Sequence, residues 1–224
     1  MEPGRHETIA GRRRSGKPWC SFIVACMATV AMALSMPVSA RAEPQIVVVE
    51  RTYDIEGDTV GALRAQMAER GPFSEKAEGH VPARTEATVE FRFTTRWHRG
   101  ACRIGRIRVT ADVTYVYPNW RNIDEASVQL VDKWLDYRKY LKVHEEGHGQ
   151  MVFDSAHEVE AMLASRGGSK NCKKLRQRAK SRGEEILRAM AAAQIQYDSD
   201  TDGGKKQGAV LGEDSDPVTK PLIN

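Results

Sequence analysis

The sequence predicts an α+β protein in which a small antiparallel sheet, formed by the N-terminal half, packs on two long helices. Three observations support this. Residues 46–55 are rich in β-branched side chains, residues 87–117 alternate apolar and polar in two runs, and residues 124–197 carry apolar side chains three and four positions apart. With 224 residues, the chain has room for one domain and a modest core.

The first strand of the predicted sheet is residues 46–55, which read Ile-Val-Val-Val-Glu-Arg-Thr-Tyr-Asp-Ile and lead into a turn at Gly57-Asp58. A short helix follows. Thr59 is a suitable N-cap, and Gly71-Pro72 stops the helix after Arg70.

Two further strands are predicted to form a hairpin. Residues 87–97 place Val89, Phe91 and Phe93 on one face, and residues 102–117 alternate in the same way. The tripeptide His98-Arg99-Gly100 supplies the turn between them.

The C-terminal half is predicted to be helical. One helix spans residues 124–165, either continuous or with one break near Tyr140, and a second spans residues 172–197. Residues 199–224 are polar and lack apolar periodicity, which indicates a flexible, loosely attached tail. The folded domain is therefore expected to cover residues 43–198.

The N-terminus has the composition of a secretory signal peptide. Basic residues at 12–14 and 17 precede an apolar run at 21–36, and Ala40-Arg41-Ala42 fits a small-x-small cleavage site. The apolar run is shorter than the roughly 20 residues that a membrane span needs, so an uncleaved anchor is the less favoured alternative. We therefore expect residues 1–42 to be removed, and the mature protein to be periplasmic or secreted without stable membrane insertion.

The charge of the chain depends on this segment. Residues 1–42 hold six Lys and Arg against two Asp and Glu, which leaves 28 basic and 28 acidic residues in the remainder. A formally neutral protein has no bulk basic field, so we expect no nucleic acid partner.

Two cysteines, Cys102 and Cys172, remain after residue 42. An even number in an oxidising compartment favours a disulfide, and two free thiols are the alternative. The bond would close a loop of about 70 residues and stabilise the fold by on the order of 4 kcal/mol.

The strongest chemical signal is His144-Glu145-Glu146-Gly147-His148, an H-E-x-x-H motif within a predicted helix. Histidines four positions apart stand on the same helix face about 6 Å apart, so both imidazoles can reach one metal ion. Glu145 lies beside them as a candidate general base for metal-assisted hydrolysis by Zn²⁺. Two surface histidines on an acidic helix are the alternative interpretation.

Several spaced motifs resemble those of the bacterial DUF922 family over roughly residues 47–204. They are Tyr53-Asp54-Ile55-Glu56-Gly57, Leu63-Arg64-Ala65-Gln66-Met67, Gly71-Pro72, Cys102, Tyr117-Pro118-Asn119-Trp120, and Trp134 ten residues before His144. The family is described as predicted secreted zinc-dependent proteases. The resemblance therefore implies a zincin-like metallopeptidase fold and a peptide or protein substrate.

The third metal ligand is the point at which the chain departs from the family. The family pattern Tyr-Asp-x-x-Thr-x-His-Gly offers a histidine, but the matching segment, residues 197–204, has Gly203 in that place. Asp202 is the leading substitute because it is adjacent. Asp200 and Asp198 need larger shifts, and Glu184 and Glu185 are more remote. Asp154, His157, His80 and His98 are expected to lie away from the metal.

Three functions remain open at this stage. A periplasmic zinc peptidase is the leading hypothesis, with the strand at 87–97 or that at 103–117 holding the peptide. The second is a non-catalytic envelope protein that binds metal or a partner but has lost the third ligand. The third is a zinc hydrolase of a non-peptide amide, such as cell-wall material.

Overall fold

The computed structural model describes residues 43–165 and 167–212, so the predicted signal peptide at 1–42 lies outside it. It is an α+β fold with five strands and three α-helices in the described part, as the sequence predicts for the class. The strands are β1 Gln45–Ile55, β2 Phe73–Ser74, β3 Gly79–His80, β4 Arg84–His98 and β5 Ala101–Trp120. The helices are α1 Val60–Arg70, α2 Val128–Ser165 and α3 Cys172–Thr201, with 3₁₀ turns at Ile123–Glu125 and Lys205–Gln207.

The main sheet has the strand order β1-β5-β4 and is mixed, which corrects the prediction of an antiparallel sheet. β4 and β5 form the predicted antiparallel hairpin through the turn residues Arg99 and Gly100, both with positive φ. β1 instead pairs with β5 in parallel. The chain passes through α1 and β4 before it returns, so β1 and β5 run in the same direction. Strand direction is a property of this connection, and alternation within a strand does not encode it.

The core lies between one face of the sheet and α2. Buried side chains alternate along β5, and the buried face of α2 packs on the same cluster. Trp120 at the end of β5 meets Trp134 of α2 edge to face, with ring centroids 5.7 Å apart. α2 therefore presents a fixed face to the sheet along its length.

α1 begins and ends as predicted. The Thr59 side chain accepts a hydrogen bond from the Ala62 amide at 3.1 Å, and the Gly71 amide donates to the Met67 carbonyl. A Cβ at position 71 would lie 2.2 Å from the Val81 carbonyl oxygen, so glycine is required by this close approach.

The two long helices differ from the prediction in extent. α2 begins at Val128, four residues later than predicted, and is continuous over 38 residues, without a break near Tyr140. α3 ends at Thr201, four residues later than predicted. The prediction of a loose tail from residue 199 is also wrong as far as residue 212, because Ala209 and Leu211 are buried in the core. Residues 213–224 lie outside the described part.

The predicted disulfide joins Cys102 to Cys172, and so ties the start of β5 to the start of α3. Two backbone hydrogen bonds between Cys102 and Ser169 support the junction, at 2.7 and 2.8 Å. Disulfide bonds form and persist in oxidising compartments, so the Cys102–Cys172 bond agrees with an extracytoplasmic location. Within the described residues, none of the helices has the length and apolar character needed to cross a membrane.

Candidate metal centre

His144 and His148 stand one turn apart on the side of α2 that contacts the end of α3. Their ring centroids are 4.9 Å apart, and the residues are 4% and 8% exposed. Burying two imidazoles costs free energy unless polar groups satisfy them, and here the surrounding groups are largely polar. The two histidines therefore share one buried polar site, as the H-E-x-x-H spacing predicts.

The third member of the site is Asp198, on the last turn of α3. Its Oδ1 atom lies 2.8 Å from His148 Nε2 and 3.4 Å from His144 Nε2. Among the described residues, His144, His148 and Asp198 form a group whose potential ligand atoms all lie within 4.8 Å of one another. Asp198 is therefore the carboxylate beside the two histidines, which corrects the preference for Asp202.

The extent of α3 explains the correction. Because α3 continues through Thr201, Asp198 faces α2 from within the helix, whereas Asp202 is the left-handed C-cap with φ 49°. The Asp202 side chain is 60% exposed and lies 3.5 Å from Lys205. A Cβ at Gly203 would meet no atom of the described residues within 4 Å. Position 203 therefore contributes no side-chain contact to the site.

The donor set suits a divalent metal. Two imidazole nitrogens and one carboxylate oxygen are ligands that zinc accepts, and they leave a fourth position open. Four ligands at about 2.1 Å in a tetrahedron lie about 3.4 Å from one another. The observed separation of His144 Nε2 and Asp198 Oδ1, 3.4 Å, matches this spacing. The contact of His148 Nε2 with Asp198 Oδ1 is shorter, at 2.8 Å, and the group as a whole spans up to 4.8 Å, so the side chains must adjust to bind the ion.

Glu145 is buried beside the two histidines, at 5% exposure. Thr85 of β4 donates a hydrogen bond to its Oε2 atom at 2.6 Å and lies 3.0 Å from its backbone carbonyl oxygen. Burial raises the pKa of Glu145, while the Thr85 hydrogen bond and the two histidines act in the opposite direction. The carboxylate is thus held in one orientation and made more basic than an exposed glutamate.

Two glycines in α2 let tyrosines approach the helix at this point. A Cβ at Gly147 would lie 2.2 Å from the Tyr197 hydroxyl oxygen, and one at Gly149 would lie 1.8 Å from that of Tyr115. Glycine is unfavourable inside a helix, so both positions are explained by packing rather than by propensity. Tyr197 uses this space to stack on His144, with ring centroids 5.1 Å apart and an interplanar angle of 10°.

The segment after α3 closes the side of the site next to His144. Gly204 and Gly208 both have positive φ, and they pack against His144 and Tyr140, which are themselves one turn apart on α2. Gln207 lies between these glycines, and its Oε1 atom is 3.0 Å from His144 Nδ1. Sequence reasoning missed this contact because nothing in a polar, glycine-rich segment marks it as packed.

The short hairpin of β2 and β3 contributes Lys76, whose Nζ atom lies 3.0 Å from Asp198 Oδ2. Burial works to raise the pKa of Asp198, but the hydrogen bond from Lys76 and the neighbouring charges of His148 and Lys76 hold it below its ordinary value. Asp198 is consequently ionised, the form in which a carboxylate binds metal.

The remaining sequence candidates lie elsewhere in the fold. Glu184 and Glu185 pair with Lys180 and Arg182 on the surface of α3. Asp154 accepts a hydrogen bond from Gln150, and the His80 ring bonds the Gly71 carbonyl. His98 and His157 are exposed. None of these side chains belongs to the group of His144, His148 and Asp198.

The fold and the site define an α+β protein in which two buried histidines and a partly exposed carboxylate form a cluster of the kind that can bind a divalent metal. The chain belongs to the DUF922 family, which is described as a bacterial protein of unknown function and matches residues 50–205. Neither a curated protein nor a solved structure matches the chain.

Proposed function

We propose that the protein is a secreted or periplasmic zinc-dependent peptidase in which His144, His148 and Asp198 hold the metal and Glu145 is the general base. The observation that carries the proposal is the convergence of three suitable ligand atoms within 4.8 Å, directly beside a buried glutamate. A structural helix needs no such group, because three buried ionisable side chains, His144, Glu145 and His148, cost more than apolar ones.

The chemistry divides between the metal and Glu145. A bound zinc ion supplies Lewis acidity, which polarises a carbonyl group and lowers the pKa of water toward about 7. Glu145 takes a proton from the attacking water and passes it to the amine that leaves when the peptide bond breaks. The raised pKa of Glu145 suits both transfers, and Thr85 keeps its carboxylate oriented.

An extended peptide has one suitable support near Glu145. β5 lies in the middle of the sheet and pairs on both sides, so the strand at 103–117 is not available for this role. β4 is an edge strand, and its Thr85 contacts Glu145 directly. A substrate strand added along residues 84–87 would bring its backbone past the general base.

The location in this proposal rests on two features. The disulfide is of the kind formed outside the cytoplasm. The composition of residues 1–42 favours export by a cleaved signal peptide.

A second candidate is a non-catalytic metal-binding protein of the cell envelope. Its support is the enclosure of the cluster, since both histidines are less than a tenth exposed and Lys76 contacts Asp198 from outside. A site that only binds metal needs no opening for a peptide. In a peptidase, Lys76 and its hairpin would have to move away from Asp198 when the substrate binds.

The test compares Glu145→Gln with Glu146→Gln, a matched change one residue away on the exposed side of α2. Wild-type protein, produced from the full-length chain, is incubated with a mixed peptide library and with cell-wall fragments, and the products are read by mass spectrometry. We expect peptide cleavage by wild type and Glu146→Gln, and a loss of more than about 100-fold in Glu145→Gln with metal content unchanged.

Three other outcomes of this experiment would change the proposal. Full metal content in wild type without any cleavage would support the envelope-binding candidate. Cleavage of cell-wall amides alone would change the substrate class, and equal rates for the two variants would exclude Glu145 as the base.

A further inference from the structure

The hydrogen-bond partners of His144 determine which of its ring nitrogens carries the proton. Two oxygens approach Nδ1, Gln207 Oε1 at 3.0 Å and Thr201 Oγ1 at 3.4 Å. A neutral imidazole has one N–H and one lone pair, and only the nitrogen with a lone pair can bind a metal. Of these two oxygens only the Thr201 hydroxyl has a hydrogen that it could donate to Nδ1, because the Gln207 amide oxygen can only accept.

Thr201 can only accept. Its hydroxyl has a single hydrogen, which is donated to the Tyr197 carbonyl at 2.7 Å. The Gly204 amide donates to the same hydroxyl oxygen at 3.3 Å. The lone pairs of Thr201 Oγ1 are therefore what His144 Nδ1 meets.

Gln207 also accepts. Its side-chain NH₂ group donates to the Tyr197 hydroxyl oxygen at 2.9 Å, which turns the amide oxygen toward the ring of His144. The Tyr197 hydroxyl also lies 3.4 Å from Gln207 Oε1, to which it can donate, so the amide oxygen remains an acceptor for both Tyr197 and His144. Nδ1 of His144 faces two acceptors, whereas Nε2 faces one, Asp198 Oδ1 at 3.4 Å, which already makes a shorter contact of 2.8 Å with His148 Nε2. Nδ1 is therefore the nitrogen that carries the hydrogen.

We infer that Gln207 and Thr201 form a clamp that fixes His144 as its Nδ1–H tautomer and thereby directs an unprotonated Nε2 at the metal position. Both are positioning residues, because they act through His144. The inference rests on the metal-binding part of the proposed function and does not require peptidase activity. Hydrogen bonds of this type orient metal-binding histidines and raise their basicity.

In the described part of the chain, a clamp of this kind is present only at His144. Gly204 and Gly208 allow the segment to approach α2, and buried Ala209 and Leu211 anchor it beyond Gln207. Among the described residues, His148 Nδ1 has no hydrogen-bond partner. The structure therefore preorganises His144, whereas His148 is oriented through Asp198.

Two measurements test the clamp in the full-length chain. Proton–nitrogen correlation spectra of the metal-free protein report the tautomer of His144, whose signals are assigned by their loss in His144→Ala. Zinc dissociation constants, measured by competition with a chelator, report the consequence. Gln207→Leu removes the acceptor, Gln207→Glu restores an acceptor oxygen, and Gln196→Leu removes an exposed glutamine bonded to Asp200 as the matched control.

We expect the Nδ1–H tautomer in wild type and in Gln207→Glu, and a shift toward Nε2–H in Gln207→Leu. Zinc binding should weaken by roughly 10–100-fold in Gln207→Leu, the range for residues that orient a ligand, and by less than about threefold in the other two variants. Thr201→Val should cause a smaller loss than Gln207→Leu, since its contact with Nδ1 is longer.

An Nε2–H tautomer in wild type would overturn the inference whatever the variants do. So would wild-type zinc affinity in a folded Gln207→Leu. If Gln207→Leu does not fold, the wild-type tautomer and the affinity of Gln207→Glu still decide the matter. A protein that binds zinc but cleaves nothing would refute the peptidase proposal and leave the clamp intact.

Discussion

α2 and α3 are held together in two different ways at their two ends. Near the connection between them, the disulfide and buried apolar residues such as Leu163 and Leu175 join the helices to the sheet. At the far end, the contacts are those of His144, His148, Tyr197 and Asp198. The first end relies mainly on a covalent bond and apolar contacts, and Glu160 is the buried ionisable side chain in that part of α2, whereas the polar end buries His144, His148 and Glu145 together. The polar end is therefore best explained by binding, because burial of such groups weakens a fold unless they are paired.

Of the substitutions at either end, His148→Ala should have the largest effect on zinc binding. Loss of a direct ligand should weaken zinc binding by more than about 100-fold, beyond the roughly 10–100-fold range for residues that only orient a ligand. His157→Ala, an exposed histidine on the same helix, is the control and should bind as wild type. Equal affinities of the two variants, measured by chelator competition, would mean that the polar end is not a metal site.

At the opposite end of the helix pair, a substitution at the disulfide should change the stability of the protein rather than its metal binding. Cys102→Ser opens a bond with a sequence separation of 70 residues. Its loss should lower the free energy of unfolding by on the order of 4 kcal/mol, because the unfolded chain regains freedom. Denaturant titration of wild type and Cys102→Ser measures this. If the folded fraction of Cys102→Ser also lost zinc affinity, the two ends would not be independent.

The next effect on zinc binding should show whether Asp198 or Asp202 is the metal ligand. Asp198→Asn replaces a charged ligand by a neutral one and should weaken zinc binding by about 10–100-fold, on the scale of a perturbed ligand environment. Asp202→Asn changes an exposed C-cap and should leave the affinity unchanged. The reverse order in isothermal titration would restore Asp202 as the ligand.

Gly147→Ala tests the close packing at the polar end with the smallest change. The new Cβ would lie 2.2 Å from the Tyr197 hydroxyl oxygen, so Tyr197 must move, at a cost of about 1–3 kcal/mol. Gly61→Ala in α1 meets only the Thr59 hydroxyl oxygen at 4.0 Å and should stabilise the protein by up to about 1 kcal/mol. Thermal unfolding compares the two. A stabilising Gly147→Ala would remove the packing explanation for that glycine.

Sequence patterns predicted the local structure well where the signal was local. Thr59 and Gly71 delimit α1 through their own side-chain or backbone bonds, and Arg99-Gly100 forms the hairpin turn. The parallel pairing of β1 with β5 could not be predicted in this way, because it depends on the path of the chain between them.

The site was predicted in part for the same reason. His144, Glu145 and His148 lie within one turn of one helix, so their spacing alone predicts that they share a face. Asp198 and Gln207 come from the C-terminal end of α3 and from the segment that follows it. Their placement depends on where α3 ends and on the packing of Gly204 and Gly208, which short-range periodicity does not encode.

The metal content of purified protein tests the central claim most directly. Inductively coupled plasma mass spectrometry of wild type, Asp198→Ala and Asp202→Ala should give one zinc per chain for wild type and Asp202→Ala, and much less for Asp198→Ala. A wild-type protein that takes up no divalent metal, or an Asp198→Ala variant that keeps a full equivalent, would contradict the account.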